Sequence, residues 1–363
     1  MPQTPIEQAQ DRPPNSRLGI GNADSPILEV KDLKVRFYQD EGIVRAVNGV
    51  SFRLHSGKSI GIVGESGCGK TMTAYSVLRI LPRKGKITSG EIRLRRKDDT
   101  VVDLARLAAD GKEMRGIRGQ DCAIIFQEPM TAFSPVHSVC NQISEAIRLH
   151  QDMDKLDTRR RVIELLSLVG IPEAAKRVDA YPFQLSGGML QRAMIAMALA
   201  CNPRVLIADE PTTALDVTIQ AQVLRLIRGL QRKLDLSLIL ITHNLGVVAH
   251  MVDYVYVMYL GRVVEEGPVE RIFDAPAHPY TAALLKSVPR LTGSKQTLVP
   301  IGGSIPDPYS YPTGCPFHPR CPKMLGKICS TSVPAPSTLA LDHSVCCFLY
   351  GDNQIGDDVG AED

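Results

Sequence analysis

The sequence predicts an α/β fold: a mostly parallel sheet with an antiparallel β subdomain, a helical insert and a small Cys- and Pro-rich C-terminal extension. Apolar runs of strand length recur without polar alternation, which is typical of central strands covered on both faces. They are residues 59–63, 122–126, 205–208 and 236–242. Segments with helical character separate them, and strands that alternate with helices indicate a parallel sheet. Those segments are residues 71–81, 155–169, 189–200 and 219–234.

Two further stretches predict antiparallel structure. Residues 27–54 have the pattern of half-buried strands, in which apolar and polar side chains tend to alternate. Residues 254–266 predict a hairpin that turns at Leu260 and Gly261. The hairpin is expected to close the main domain.

The chain divides into four predicted parts. The N-terminal residues are polar and proline-rich, and the C-terminal residues are acidic, so both ends are expected to be disordered. Beyond residue 267 the chain is rich in proline and cysteine and shows little periodicity, which places a boundary near residue 270. The parts are a tail (1–25), a main domain (26–270) with a helical subdomain at about 128–200, an extension (271–350) and a tail (351–363).

The composition restricts the class of protein. Of 363 residues, 44% are hydrophobic and 22% are charged, as in globular proteins of about two domains. The net charge of +3 implies no nucleic-acid partner. Because we find neither a membrane-span run nor a secretory signal, we expect a cytoplasmic chain. There, the nine cysteines are not expected to form structural disulfides.

The first site motif is GESGCGKT at residues 64–71, which follows a predicted strand and precedes a predicted helix. It matches G-x-x-x-x-G-K-[ST], the phosphate-binding P-loop, in the required context. Its glycines let backbone N–H groups surround a phosphate, and the helix N-terminus adds partial positive charge. Lys70 is expected to bridge β- and γ-phosphate oxygens, and Thr71 to ligate Mg²⁺. The motif predicts a P-loop (RecA-like) nucleotide-binding fold.

Two acidic residues follow another predicted strand in VLIADE, residues 205–210. The carboxyl ends of parallel strands are where α/β sheets place ligands. Asp209 is expected to hold Mg²⁺ and Glu210 to polarise the water that attacks the γ-phosphate. His243 ends the strand sequence LILITH at the same sheet edge, so we expect it to contact the γ-phosphate.

A second candidate phosphate site is LSGGMLQR, residues 185–192. A serine and two glycines precede a run of helix formers. Exposed backbone N–H groups at a helix start, with a hydroxyl beside them, favour an anion. Since the P-loop already supplies one cradle, this second site calls for a different phosphate.

These motifs, in this order, resemble those of the nucleotide-binding subunits of ABC transporters. The series is GESGCGKT, FQEP with Gln127, LSGGM, VLIADEP, TALD at 213–216 and His243, within about residues 27–270. In that family, ATP binding closes a dimer of such subunits and hydrolysis reopens it. The resemblance implies that Ser186, Gly187 and Gly188 contact the γ-phosphate held by the partner's P-loop.

The resemblance also implies roles for single residues. Phe37 would stack on adenine, with a half-buried strand aromatic as the alternative. Gln127 would ligate Mg²⁺ and couple the attacking water to the membrane partner, and Asp216 would lie at the dimer seam. Met189 stands where the family usually has glutamine, which leaves the phosphate contacts intact. The implied ATP-binding residues are Phe37, Gly64, Glu65, Ser66, Gly67, Cys68, Gly69, Lys70, Thr71 and Met72, and the implied catalytic ones are Lys70, Gln127, Glu210 and His243.

One branch of the family matches more closely. LSGGM followed by QRAMIAMAL, with HPYTAALLKSVP (278–289) and GCPFHPRCP (314–322), resembles the D-type ATPase of oligopeptide, dipeptide and nickel importers. This implies peptide or related uptake by a peripheral subunit at the cytoplasmic face of the inner membrane. The implied partners are a paralogous ATPase, two membrane permease subunits and an extracytoplasmic solute-binding protein. The sequence leaves the solute open.

Five cysteines lie in the Pro-rich extension: Cys315, Cys321, Cys329, Cys346 and Cys347. A segment with little core-forming material needs a staple, and clustered cytosolic thiols suggest a metal. Thiolate ligands suit Zn²⁺ or an iron–sulfur cluster, and unliganded thiols are the alternative. The resemblance favours a [4Fe-4S] cluster on Cys315, Cys321, Cys329 and Cys347, with Cys346 as the alternate fourth ligand.

Two functions other than import are alternatives for such a chain. A non-transport ABC ATPase of translation or DNA repair usually has two cassettes or long coiled-coil arms, and this chain has one cassette and no sustained heptads. A sensor, in which the metal segment gates a weak ATPase, is the second alternative. Import is the function that the motifs favour.

Overall fold

The computed structural model describes residues 25–213, 215–287 and 301–350. The two predicted disordered tails, apart from Ser25, lie outside these residues, as do the last two residues of the 278–289 motif and Ala214 of the TALD motif.

The described residues form twelve strands and twelve α-helices. The strands are β1 (Leu28–Gln39), β2 (Gly42–Leu54), β3 (Ser59–Val63), β4 (Gly85–Arg95), β5 (Val101–Asp103), β6 (Cys122–Ile125), β7 (Val205–Asp209), β8 (Ser237–Thr242), β9 (Tyr254–Tyr259), β10 (Arg262–Pro268), β11 (Ser337–Ala340) and β12 (His343–Val345). The helices are α1 (Lys70–Val77), α2 (Lys112–Ile117), α3 (Pro129–Ala132), α4 (Val139–His150), α5 (Lys155–Leu168), α6 (Ala174–Arg177), α7 (Gly187–Ala198), α8 (Val217–Leu234), α9 (Leu245–Met251), α10 (Val269–Asp274), α11 (Pro279–Lys286) and α12 (Lys327–Thr331).

The main sheet has the strand order β11-β12-β10-β9-β3-β8-β7-β6. From β9 to β6 every neighbouring pair is parallel. All residues of β3, β7 and β8 are buried, because helices or the β subdomain cover both faces. This confirms the predicted mostly parallel α/β sheet.

A second, antiparallel sheet has the order β2-β1-β4-β5. Its apolar side chains share a core with β3 and α1. The predicted hairpin is also present: β9 and β10 pair antiparallel, and Leu260 and Gly261 turn the chain with φ of 43° and 75°. Two consecutive positive φ values are the geometry of the tight turns that match strand twist.

The helical insert, α3 to α7, follows β6 and returns to β7. Its α4, α5 and α7 pack on one another around Ile143, Leu165 and Leu190. The predicted helix at 71–81 ends earlier, at Val77, because Arg79 adopts a left-handed φ of 54° and closes the helix.

The C-terminal extension packs onto the main domain. Strand β12 pairs with β10, and β11 pairs with β12, so the extension lengthens the main sheet by two strands. Beneath it, the buried carboxylate of Glu265 accepts hydrogen bonds from the amides of Ala277 and His278 and lies 2.9 Å from Nε2 of His343. The extension and the main domain are therefore joined through buried polar contacts as well as apolar ones.

Candidate active site

The P-loop joins β3 to α1 and is shaped by two glycines. Gly64 has a φ of 151° and Gly69 a φ of 101°. A Cβ atom on either would collide with a backbone carbonyl, that of Met258 at Gly64 and that of Ala46 at Gly69. Only glycine allows this close approach, which is how the loop wraps tightly enough to present its amides.

Lys70 lies inside the loop that it serves. Its ammonium donates to the carbonyl oxygens of Gly64 (2.8 Å) and Glu65 (3.0 Å), and the residue is only 5% exposed. It also lies 3.8 Å from Sγ of Cys68. Burial raises the pKa of the Cys68 thiol, so Cys68 is a neutral side chain in the loop wall.

Thr71 and Asp209 meet at the mouth of the loop. The Thr71 hydroxyl donates to Oδ1 of Asp209 (3.2 Å), whereas the fully buried Oδ2 has no hydrogen-bond partner. Burial raises the pKa of the Asp209 carboxyl to about 6, opposed by the Thr71 hydrogen bond and reinforced by neighbouring Glu210. A buried carboxylate oxygen without a partner, beside a hydroxyl, fits a site for Mg²⁺, which prefers such oxygens.

Glu210 is the centre of a polar cluster. Its Oε2 accepts from Gln127 Nε2 (3.2 Å) and Thr213 Oγ1 (3.0 Å), and its Oε1 lies 3.0 Å from Nδ1 of His243. The residue has a φ of 45°, a conformation that is uncommon for non-glycine residues and clusters at functional sites. The Glu210 side chain is 14% exposed, whereas that of His243 is 64% exposed. The cluster therefore opens towards solvent at His243.

The signature segment, which is LSGGM at residues 185–189 and begins the signature helix α7, faces outward. Ser186 caps α7, its hydroxyl accepting from the Met189 amide (3.4 Å), and Ser186 and Gly187 are exposed. No hydrogen bond among the described residues joins this segment to the P-loop. Asp216 caps the adjacent α8 by accepting from the Ile219 amide (3.0 Å) and is also exposed.

Phe37 and Met72 lie at the edge of the β subdomain core. Phe37 is half-buried, and its ring stands against Gly85, where a Cβ atom would approach it to 2.8 Å. Gly85 therefore provides the room in which this ring lies.

Gln191 was not singled out from the sequence. It is 1% exposed, and its side-chain amide donates to the Pro211 carbonyl at 2.7 Å. Pro211 directly follows Glu210, so this bond ties the signature helix to the end of β7. The signal available in the sequence was a glutamine within the largely apolar segment that forms α7. A polar side chain buried in such a segment needs a hydrogen-bond partner.

Four of the extension cysteines line one small cavity. They are Cys315, Cys321, Cys329 and Cys347, and the cavity wall also includes His278 and Phe317. Cys346 does not line it, because its amide is bonded to the Val264 carbonyl on β10. All nine cysteines are free thiols. Among the described residues, no group of three or more His, Cys, Asp or Glu side chains is arranged to hold a metal ion.

The extension also reaches the P-loop, which the sequence did not indicate. Arg320 forks the Glu65 carboxylate with N–O distances of 2.8 and 3.1 Å. The Tyr280 hydroxyl accepts a hydrogen bond from the Glu65 amide at 2.8 Å. The tyrosine belongs to the HPY stretch of the 278–289 motif, whose sequence gave no contact partner.

Comparison with known proteins places this geometry in a family. Residues 47–213 match the ABC transporter family model, and residues 264–329 match the model described as the oligopeptide/dipeptide transporter C-terminal region. The chain is 51% identical to the dipeptide transport ATP-binding protein DppD of Bacillus subtilis, over 89% of this chain and 94% of that protein. It is 46% identical to the oligopeptide transport ATP-binding protein AppD of Bacillus subtilis, over 90% and 97%.

Solved structures agree with this assignment. The dimeric post-hydrolysis ATP-binding cassette MJ0796, bound to ADP and Pi, matches with a TM-score of 0.58 and 25% identity, covering 67% of this chain and 98% of that one. The cbiO1 subunit of a Clostridium perfringens ABC transporter complex matches with a TM-score of 0.56 and 28% identity, covering 69% and 92%. None of the helices in the described ranges combines the length and apolarity needed to cross a bilayer. The resemblance drawn from the motifs is confirmed: this chain belongs to the ABC transporter family, as an ATP-hydrolysing, ATP-binding subunit of the oligopeptide/dipeptide branch.

Proposed function

We propose that this ATPase powers the uptake of peptides or a related solute through membrane permease subunits. The observation that carries the proposal is the combination, in one chain, of the polar cluster around Glu210 and a C-terminal region of the oligopeptide/dipeptide type. The names of its relatives, which describe dipeptide and oligopeptide transport, supply the solute class.

In the proposed reaction, Thr71, Asp209 and Gln127 would hold Mg²⁺, which would neutralise charge on the ATP phosphates. Lys70 exchanges its loop carbonyls for β- and γ-phosphate oxygens, since an ammonium held by two neutral carbonyls is free to pair with an anion. Glu210 polarises the attacking water, and His243 contacts the γ-phosphate from the adjoining strand end.

We infer that the site is completed by a second ATPase subunit. The exposed Ser186 and Gly187 lack any partner from their own P-loop among the described residues, so they are available to another chain's γ-phosphate. A helix start opposite the phosphate adds donors and excludes water. Two solved structures of the similar cassette MJ0796 are described as dimeric, which supports a second subunit. The partner we propose is a paralogue, so that the pair is a heterodimer.

The remaining partners follow from the same assignment. Two permease subunits would bind the helical subdomain, about residues 128–200, on the cytoplasmic face of the inner membrane, and an extracytoplasmic binding protein would deliver the solute. The extension, residues 271–350, would be present in this transporter as part of the ATPase subunit.

The test is purification of the full chain from detergent-solubilised membranes, followed by identification of the proteins that remain bound. Recovery of two permeases and a second ATPase, and ATP-driven peptide uptake by the reconstituted complex, would support the proposal. Recovery of ribosomal or DNA-repair proteins instead would overturn it.

We further propose that Cys315, Cys321, Cys329 and Cys347 hold a [4Fe-4S] cluster, with Zn²⁺ as the alternative. The donor set fits, because four thiols and no carboxylate line one cavity. Burial raises the pKa of the Cys315 thiol to about 11, so binding must displace protons and draw the thiols together. The cavity favours Cys347 over Cys346 as the fourth ligand.

Anaerobically purified protein distinguishes these outcomes. A broad absorption band in the visible spectrum, of the kind that iron–sulfur clusters give, supports the assignment. The iron and sulfide contents should be those of a four-iron cluster. The band should persist in Cys346→Ser and vanish in Cys347→Ser. Zinc without iron, or no metal, would reject the cluster.

A further inference from the structure

The strongest contact between the extension and the P-loop is the ion pair of Glu65 and Arg320. It is bidentate, with the Arg320 side chain 3% exposed and that of Glu65 20% exposed. Arg320 also donates to the carbonyl of Gly302 and lies within 3.3 Å of the Tyr259 hydroxyl. The Glu65 contact raises the pKa of Arg320, which keeps its guanidinium charged.

Glu65 is held from a second direction by Tyr280. The Tyr280 hydroxyl accepts a hydrogen bond from the Glu65 backbone amide. The Tyr280 ring is buried against those of Tyr259 and Phe317, whose centroids lie 4.7 and 5.4 Å from its own. Phe317 also lines the thiol cavity. Both the side chain and the backbone of this P-loop residue are thus fixed by the extension.

The position of Glu65 makes this electrostatically important. Glu65 directly follows Gly64 in the loop, and its backbone carbonyl accepts a hydrogen bond from the Lys70 ammonium at 3.0 Å. An unpaired carboxylate beside the cradle would repel the polyphosphate of ATP, because charges in a partly buried site are weakly screened. Arg320 cancels that charge.

We propose that Arg320 and Tyr280 are positioning residues for ATP binding, through which the C-terminal extension sets the affinity of the P-loop for MgATP. Arg320 neutralises Glu65, and Tyr280 fixes the backbone of the same residue. The inference rests on the proposed ATP-binding role of the loop, and it adds that the extension is part of the nucleotide site.

The experiment measures the dissociation constant of MgATP by calorimetry for the full chain and three variants: Arg320→Met, Glu65→Gln, and the double variant. Arg320→Met should weaken binding roughly 3- to 10-fold, the size expected for one partly screened charge near the phosphates. The double variant should return to within about 2-fold of the parent, since it removes the exposed carboxylate as well. A purely structural role for Arg320 would not be rescued in this way.

Arg320→Met and Tyr280→Phe each have a control variant. Arg159→Met removes another forked ion pair, with Asp179, on the helical insert and should leave ATP affinity unchanged. If Arg320→Met does not fold, Tyr280→Phe provides the test, with an expected loss of about 2- to 5-fold from one hydrogen bond. Tyr254→Phe is its control, because Tyr254 also bonds the extension, at the Asp342 carbonyl, away from the loop.

The outcomes are decisive for the inference. Unchanged affinity in both Arg320→Met and Tyr280→Phe, or weakening that persists in the double variant, would overturn it. In the assembled transporter, KM for ATP should rise with kcat unchanged, because only binding is affected. Failure of the parent chain to bind MgATP would instead reject the proposed function. The inference itself concerns the ratio of the MgATP dissociation constants of variant and parent.

Discussion

Oε1 of Glu210 lies 3.0 Å from Nδ1 of His243, although 33 residues separate them in the chain. They come together because β7 and β8 are adjacent parallel strands whose carboxyl ends share one edge, with the Glu210 amide bonded to the Ile241 carbonyl at 2.8 Å. Gln127 reaches the same carboxylate from the end of β6, the next strand outward. Three strand ends thus assemble one polar cluster.

Glu210→Gln should retain MgATP binding and lose turnover by about 10²–10⁴-fold, because the amide keeps the shape of the side chain but no longer polarises water. The variant should accumulate as an ATP-bound, closed dimer. Single-turnover hydrolysis and size-exclusion chromatography with ATP measure both effects. Glu164→Gln, on an exposed face of α5, is the control. Rapid hydrolysis by Glu210→Gln would remove Glu210 from this role.

Ser186→Ala should leave the MgATP affinity of the isolated chain unchanged but lower the ATPase rate of the assembled transporter at least about 10-fold. The reason is that Ser186 is exposed and, in the proposed dimer, would contact the γ-phosphate of the partner's site. Ser138→Ala is a matched control, since Ser138 caps α4 by the same kind of bond and its loss costs a similar ~1 kcal/mol. Equal rate losses in the two variants would contradict a role in the partner's site.

Asp209→Asn should raise the thermal stability of the nucleotide-free chain while abolishing Mg²⁺-dependent hydrolysis. The folded-state pKa of about 6 lies above the unfolded value, so the ionised carboxylate destabilises the fold increasingly as pH rises from about 4 to 6. Asparagine removes this penalty, for a gain of about 3 kcal/mol at pH 7.5. Differential scanning calorimetry at pH 5 and 7.5 measures it. A lower melting temperature at pH 7.5 would show that the carboxylate is stabilising instead.

His278 should make the fold acid-sensitive. Burial lowers its pKa to about 3, and its Nδ1 accepts the Tyr280 amide at 3.0 Å, so the imidazole is neutral in the folded chain. The unfolded chain binds a proton below pH 6.5, and stability is therefore lost as pH falls through 6.5. Between pH 7.5 and 5.5 the loss is about 1.4 kcal/mol.

The His278→Asn variant tests this, because Asn keeps the acceptor that caps α11 but does not titrate. Its melting temperature should fall less than that of the parent between pH 7.5 and 5.5, by about 2–4 °C. His250→Asn, on the exposed face of α9, is the control. Parallel pH profiles for the parent and His278→Asn would contradict the assignment.

Much of the site was predictable because its residues lie in short contiguous motifs. A strand that runs into a glycine-rich turn and a helix is a local unit, so Lys70 and Thr71 could be placed without knowing the rest of the fold. The acidic pair Asp209–Glu210 was recognisable by its position at a strand end. Helix ends were less predictable: the left-handed residue Arg79 ended α1 four residues before the expected boundary.

What the sequence determined by itself was the local order of strands and helices, the phosphate loop and the acidic strand end, because each depends on neighbours within a few residues. What only the tertiary structure decided was long-range pairing: that Cys347 and not its alternate Cys346 lines the shared cavity, that Gln191 ties α7 to Pro211, and that Arg320 meets Glu65 across 255 residues. Such contacts form when distant segments are packed against one core, and no sequence spacing encodes the distance between them.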